Sequence, residues 1–188
     1  MPKRARLLLP VLSVVAAWLA MQAVHELGHV IATLALGGTV DNVDLHPLHI
    51  SRTDVGLNPN PLVVVWAGPA IGVVLPAAFW LAASALRLRH AFLARFLAGF
   101  CLVANGTYIG VGSFDRVGDC GDMLRYGSPI WTLWGFGALC TTAGFIAWHG
   151  LADRFGLRAS AAPPERGSTV VAGASLASFL ALAIFVGP

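Results

Sequence analysis

With 188 residues, 57% of them hydrophobic and only 11% charged, the chain is too apolar for a water-soluble domain and fits an integral membrane protein. Its net charge of +3 does not point to nucleic acid, because the basic residues stand at the ends of apolar runs and form no patch or stripe. Three cysteines, an odd count without disulfide spacing, argue against a disulfide-built scaffold; Cys101 and Cys140 fall inside apolar runs as small core residues.

Five stretches are long enough to cross the hydrocarbon core, at about residues 7–36, 62–86, 91–111, 130–151 and 168–186. The expected fold is an all-α polytopic membrane protein with about five transmembrane helices, in a single integral membrane domain over residues 1–188. The first stretch is long for one crossing, so it tilts or runs into the interface. Lys3-Arg4-Ala5-Arg6 resembles the start of a signal peptide, but the apolar run continues too far, and cleavage would cut into the segment carrying residues 25–29. Residues 38–61 form the first polar stretch. There Val40, Val43, Leu45, Leu48 and Ile50 alternate loosely with polar residues, as in a short half-buried β-hairpin after the first helix. Leu57-Asn58-Pro59-Asn60-Pro61 then breaks the chain. Residues 112–128 are rich in Gly and Asp and cannot cross lipid exposed. Residues 158–167, with Pro163-Pro164, read as a flexible connector. The last segment carries Ala174, Ser175, Ala177 and Ser178, small residues that suit close helix packing. Trp66, Trp131 and Trp134 read as interfacial anchors.

His25-Glu26-Leu27-Gly28-His29 lies inside the first apolar run. On a helix, HExxH puts two imidazoles one turn apart on one face, where both reach a single Zn²⁺. Glu26 then stands beside the ion as the expected general base. A carboxylate at helix-centre depth costs about 2.5–3.5 kcal/mol, so an ionisable cluster there marks a functional site. The competing reading, a pair of hydrogen-bonded core histidines, gains nothing for that cost.

A hydrolytic zinc site needs a third protein ligand and an open fourth position. Gly118-Asp119-Cys120-Gly121-Asp122 supplies two candidate carboxylates. Alternate crossing by the first three spans brings the end of the HELGH helix, the start of the second span and Asp119 to one side of the membrane. Cys120 is either a small filler or a fourth, soft ligand. His46 and His49 flank Pro47 in the polar stretch and read as interfacial, with metal or proton handling as the alternative. Asn58, Asn105 and Tyr108 are polar groups able to hydrogen-bond a substrate backbone or a neighbouring helix.

Three elements in order resemble the site-2 protease family of intramembrane zinc metalloproteases, in its compact form without a regulatory domain. HELGH fits the family's HExxH helix, Ala67-Gly68-Pro69 fits its AGP-type motif, and Asp119-Cys120-Gly121 stands where the family has LDGG. The resemblance covers residues from about 20 to 125 and makes about 7–128 the metalloprotease core, with 129–188 as additional helices. It implies His25, His29 and Asp119 as zinc ligands, with Asp122 the alternative third ligand, and Glu26 as catalytic base. The family often carries Asn where this chain has Gly72; Asn105 is the candidate substitute amide and substrate-binding residue. The implied activity is hydrolysis of peptide bonds in or near a transmembrane helix of a membrane-protein substrate. That helix must unwind first, and the hairpin is implied to hold the unwound strand by edge pairing.

Nine of the basic residues, Lys3, Arg4, Arg6, Arg87, Arg89, Arg95, Arg154, Arg158 and Arg166, fall on one side of the expected topology, and Arg52, Arg116 and Arg125 on the other. The positive-inside rule puts the first group in the cytoplasm and the HELGH end outside. Family members commonly open their sites to the cytosol, so orientation stays open. The expected location is the plasma membrane, as a multi-pass protein in contact with the lipid bilayer. The lack of a sensing domain leaves room for a regulatory membrane subunit. The competing functions are a non-proteolytic membrane metal or haem carrier and an inactive helix-binding relative. Haem needs axial histidines on facing helices, and an inactive relative needs no Glu26.

Overall fold

The computed structural model describes residues 3–158 and 162–186. Its elements are α1 (Lys3–Ala35), β1 (Val40–Asp44), β2 (Arg52–Val55), α2 (Pro61–Ala85), α3 (Ala91–Asp115), α4 (Asp119–Arg125), α5 (Ile130–Trp148), a 3₁₀ turn (Leu151–Asp153) and α6 (Arg166–Val186). The fold is an all-α polytopic membrane protein: α1, α2, α3, α5 and α6 are long and apolar enough to cross a bilayer. Continuous helix satisfies every backbone donor in place, which lipid demands. Large apolar side chains such as Phe79, Leu139 and Phe185 accordingly point outward. At seven residues, or about 10 Å, α4 is far too short to cross.

Helices α1, α2 and α3 pack against one another; α5 lies on α3, and α6 lies on α1. Backbone contact replaces side-chain packing where α3 meets α5: a Cβ on Gly137 would stand 2.6 Å from Gly110 Cα. One core, Val65, Ile109, Cys120, Met123 and Leu133, seats α4 on α2, α3 and α5. A second, Leu9, Leu151, Phe155 and Ala172, joins α6 to the opposite end.

Capping follows the local sequence. Asn60 accepts from Val63 N at 3.4 Å and Pro61 opens α2, where its missing N–H costs nothing. Arg116, in the left-handed region at φ 55, ends α3 with its N–H on the Gly112 carbonyl. The chain then turns back through Gly118, at φ 60, into α4.

The hairpin differs from its expected form. Strand β1 pairs antiparallel with β2 in the register Val40 to Val55, Asn42 to Asp54, Val43 to Thr53 and Asp44 to Arg52, with a bulge after Val40. Leu48 and Ile50 lie in the connection, 87% and 78% exposed, and the second strand begins beyond them. Asp44 accepts from His46 N at 3.0 Å, an Asx turn that takes the chain out of the ladder, and Pro47 has no N–H to return it. In α6 the buried face is Ser168, Ala172 and Ala183; Ala174, Ala177 and Ser178 of the expected packing set are exposed. Of the expected connector, residues 159–161 lie outside the described residues.

Candidate metal centre

Two turns before α1 ends, His25, Glu26 and His29 are 8%, 4% and 7% exposed. The imidazoles sit one turn apart, ring centroids 5.0 Å, as the i, i+4 spacing dictates. Glycine lets α2 press on them. A Cβ on Gly28 would overlap the Ala67 carbonyl, and one on Gly68 would overlap the His29 ring and stand 2.9 Å from His25 Nε2. Gly28 of HELGH and Gly68 of the Ala67-Gly68-Pro69 motif are two sides of one close crossing.

Each imidazole is oriented from behind. His29 Nδ1 lies 2.9 Å from the Val64 carbonyl, and His25 Nδ1 lies 2.7 Å from Asn105 Oδ1. The Asn105 amide is fixed, because its Nδ2 donates to the Cys101 carbonyl at 2.9 Å. Both Nδ1 partners accept only, so each Nδ1 carries the proton and each Nε2 turns a lone pair forward.

Asp119, the first residue of α4, completes the group. Its Oδ2 is 2.8 Å from His25 Nε2 and 3.5 Å from His29 Nε2, and the two Nε2 atoms are 3.2 Å apart. Three lone-pair atoms converge with both ring protons on the far side. A tetrahedral ion with bonds of about 2.0–2.1 Å separates its ligand atoms by about 3.3–3.4 Å. Two of the three edges bracket that value; the third would open by ~0.5 Å. A carboxylate oxygen and two imidazole lone pairs facing one point are a donor set suited to a cation. Among the described residues, His25, His29 and Asp119 form the one such ligand group.

The other candidates stand elsewhere. Asp122 is on the same cavity wall, but its carboxylate faces Arg125 at 3.7 Å. Cys120 turns inward, its Sγ donating to the Tyr108 carbonyl at 3.2 Å; burial and then the Asp119 charge push its thiol up to about 11. It is a core filler, not a soft ligand facing the imidazoles. Asn105, expected against substrate, is 1% exposed with both amide ends engaged, so it acts on His25 instead. Its amide also lies 3.0 Å from where a Gly72 Cβ would be, which is the sense in which it substitutes for a side chain there. His46 and His49 stack on each other at 4.5 Å, next to Asp44, and belong to no ligand group.

Several residues carry no sequence signal for their role. Ser51 Oγ and Thr53 Oγ1 each donate to Glu26, both at 2.7 Å, and Ser51 N donates to Gln22 Oε1 at 2.8 Å. Strand β2 is thus pinned over the carboxylate. Tyr108 Oη accepts from Asp119 N at 3.1 Å. The one available hint was spacing: Gln22 is a turn before Glu26 and Tyr108 about a turn after Asn105. All line a cavity of about 1270 Å³ bounded by α1, β2, α2, α3 and α4. Comparisons with protein-family models, curated proteins and solved structures gave no match.

Proposed function

We propose that the chain is an intramembrane zinc metalloendopeptidase of the site-2 protease type, cutting peptide bonds in or near transmembrane segments of membrane proteins. The observation that supports this best is the convergence of His25 Nε2, His29 Nε2 and Asp119 Oδ2 one residue from a buried glutamate. Zn²⁺ held by these three would supply Lewis acidity to the scissile carbonyl and to water. Glu26 takes the proton of the attacking water and returns it to the leaving amine. Ser51 and Thr53 aim its carboxylate, each through one hydrogen bond that leaves further lone pairs for the proton. Asn105 and the Val64 carbonyl keep both imidazoles in the ligating tautomer. Strand β2 offers an edge for an unwound substrate segment.

The same reading makes the protein a multi-pass plasma-membrane enzyme with a membrane-protein substrate, and leaves room for a regulatory membrane subunit. The haem alternative needs two imidazoles on opposite faces of a macrocycle; Nε2 atoms 3.2 Å apart leave no room for one.

Elemental analysis of the purified chain beside Asp119→Asn and Asp122→Asn tests the proposal. One zinc is expected in the wild type and in Asp122→Asn, with loss in Asp119→Asn. A wild type without zinc refutes it. Glu26→Gln should keep zinc and lose at least ~100-fold in hydrolysis; unchanged proteolysis contradicts the mechanism.

A further inference from the structure

We infer that the Tyr108 hydroxyl is a catalytic hydrogen-bond donor to the scissile carbonyl oxygen, an assignment that rests on the proteolytic reading above. Amide hydrolysis builds negative charge on that oxygen, and a preorganised donor facing it lowers the barrier. Glu26, an acceptor, stands on the α1 and β2 side of the cavity. Tyr108 stands on the α3 wall of the same cavity, its ring edge-on to His25 with centroids 6.0 Å apart.

The hydroxyl is placed and its proton is uncommitted. Oη accepts from Asp119 N at 3.1 Å, which fixes it beside the third ligand. No acceptor for its own proton occurs among the described residues. The backbone is cleared for it: a Cβ on Gly118 would overlap Oη, and Gly118 sits at φ 60, where a side chain is strained. Most neighbouring donors are otherwise engaged, and Gln22 Nε2, which has no partner, stands across the cavity on α1 beside Glu26. Ser51 and Thr53 donate to Glu26, Thr107 donates to the Val103 carbonyl, and Asn105 donates to the Cys101 carbonyl. Tyr108 itself is 40% exposed, open to the cavity where Asn105 is sealed. Its proton stays on the phenol throughout; the contribution is a charge-assisted hydrogen bond, not a transfer.

The test uses the full chain in detergent, zinc-loaded, as wild type and Tyr108→Phe. The probes are N-phosphoryl-leucyl-leucine amide, whose tetrahedral anion mimics the charged oxygen, and leucyl-leucine amide, which has no such oxygen. Zinc content and both affinities are measured together. The expected result is equal zinc in the two proteins, phosphoryl-peptide binding weaker by about 10- to 100-fold in Tyr108→Phe, and equal binding of leucyl-leucine amide. Equal phosphoryl-peptide binding in two zinc-loaded proteins overturns the assignment and leaves the proteolytic reading intact. Loss of zinc from Tyr108→Phe also overturns it, because the hydroxyl then serves to hold Asp119. A zinc-loaded wild type that does not bind the phosphoryl peptide overturns the proteolytic reading, and this assignment with it.

Discussion

Asn105→Ala isolates the support behind one ligand. In the native chain the His25 Nδ1 proton goes to Asn105 Oδ1 at 2.7 Å, in a place that solvent does not reach. Truncation leaves a buried N–H without an acceptor, which costs about 1–3 kcal/mol, and frees the ring to turn its Nε2 from the ion. That range corresponds to about 5- to 150-fold in an equilibrium constant, and loss of such a support commonly costs 10- to 100-fold in metal affinity. Competition with a fluorescent chelator at pH 7.5 should therefore show zinc held at least ~10-fold more weakly. Asn105→Asp keeps an acceptor for His25 but sets its second oxygen against the Cys101 carbonyl, so it should recover only part of the loss. The swap Gly72→Asn with Asn105→Gly regrows an amide into the same space, 3.0 Å from the present one, and should recover part of the loss. If Asn105→Ala folds and holds zinc as tightly as the wild type, the tautomer argument for His25 is wrong.

Three further outcomes follow from the same geometry. Gly68→Ala drives a methyl group into His29 and to within 2.9 Å of His25 Nε2, so the folded variant should lose zinc while Ala67→Gly keeps it; a zinc-loaded Gly68→Ala would refute the crossing. Cys120 should resist iodoacetamide at pH 8: with its thiol raised to about 11, the thiolate is ~100-fold scarcer than for a free cysteine, and burial slows it further. Labelling at the rate of an unfolded control would refute that. Protease access to a tag in residues 158–167 of sealed vesicles decides the orientation: protection in right-side-out vesicles agrees with the nine basic residues at that end and the positive-inside rule, and access from the exterior puts the HELGH end on the cytosolic side.

The fold was legible because lipid allows so few alternatives. Each expected span corresponds to a helix, and the limits shift by a few residues where Gly150 or Arg116 takes a left-handed turn that hydropathy does not register. HELGH was legible because charge inside an apolar run demands an explanation, and the Asp119 region because alternate crossing brings it to the same side as the end of that helix. The contacts of β2 were not. Arg52-Thr53-Asp54-Val55 has no apolar alternation, because this strand is held by hydroxyl groups on a carboxylate and not by a buried face. Asn105 was legible as a polar group for a substrate or a neighbouring helix but not as a partner of His25, 80 positions away, since helix–helix register is set by glycine contacts that no local pattern encodes.

Depth joins the site to the kind of bond it can reach. His25 and His29 lie ten and six residues before the end of α1, so the ligand group sits about 9–15 Å below that end of the helix. The hairpin covers the centre from that end of the helix. A carboxylate, two imidazoles and a glutamate at that depth would be prohibitive alone. Here the imidazoles have Asn105 and Val64 O, Glu26 has Ser51 and Thr53, and Asp119 has its neighbours' Nε2 lone pairs, which a shared cation would compensate. The partners of Glu26 come from β2 and the residue before it, outside the spans, so the strand that satisfies the carboxylate also lines the cavity a ligand enters. Under the proteolytic reading, a segment reaching Glu26 lies beside β2, and pairing with that strand's edge would hold it unwound.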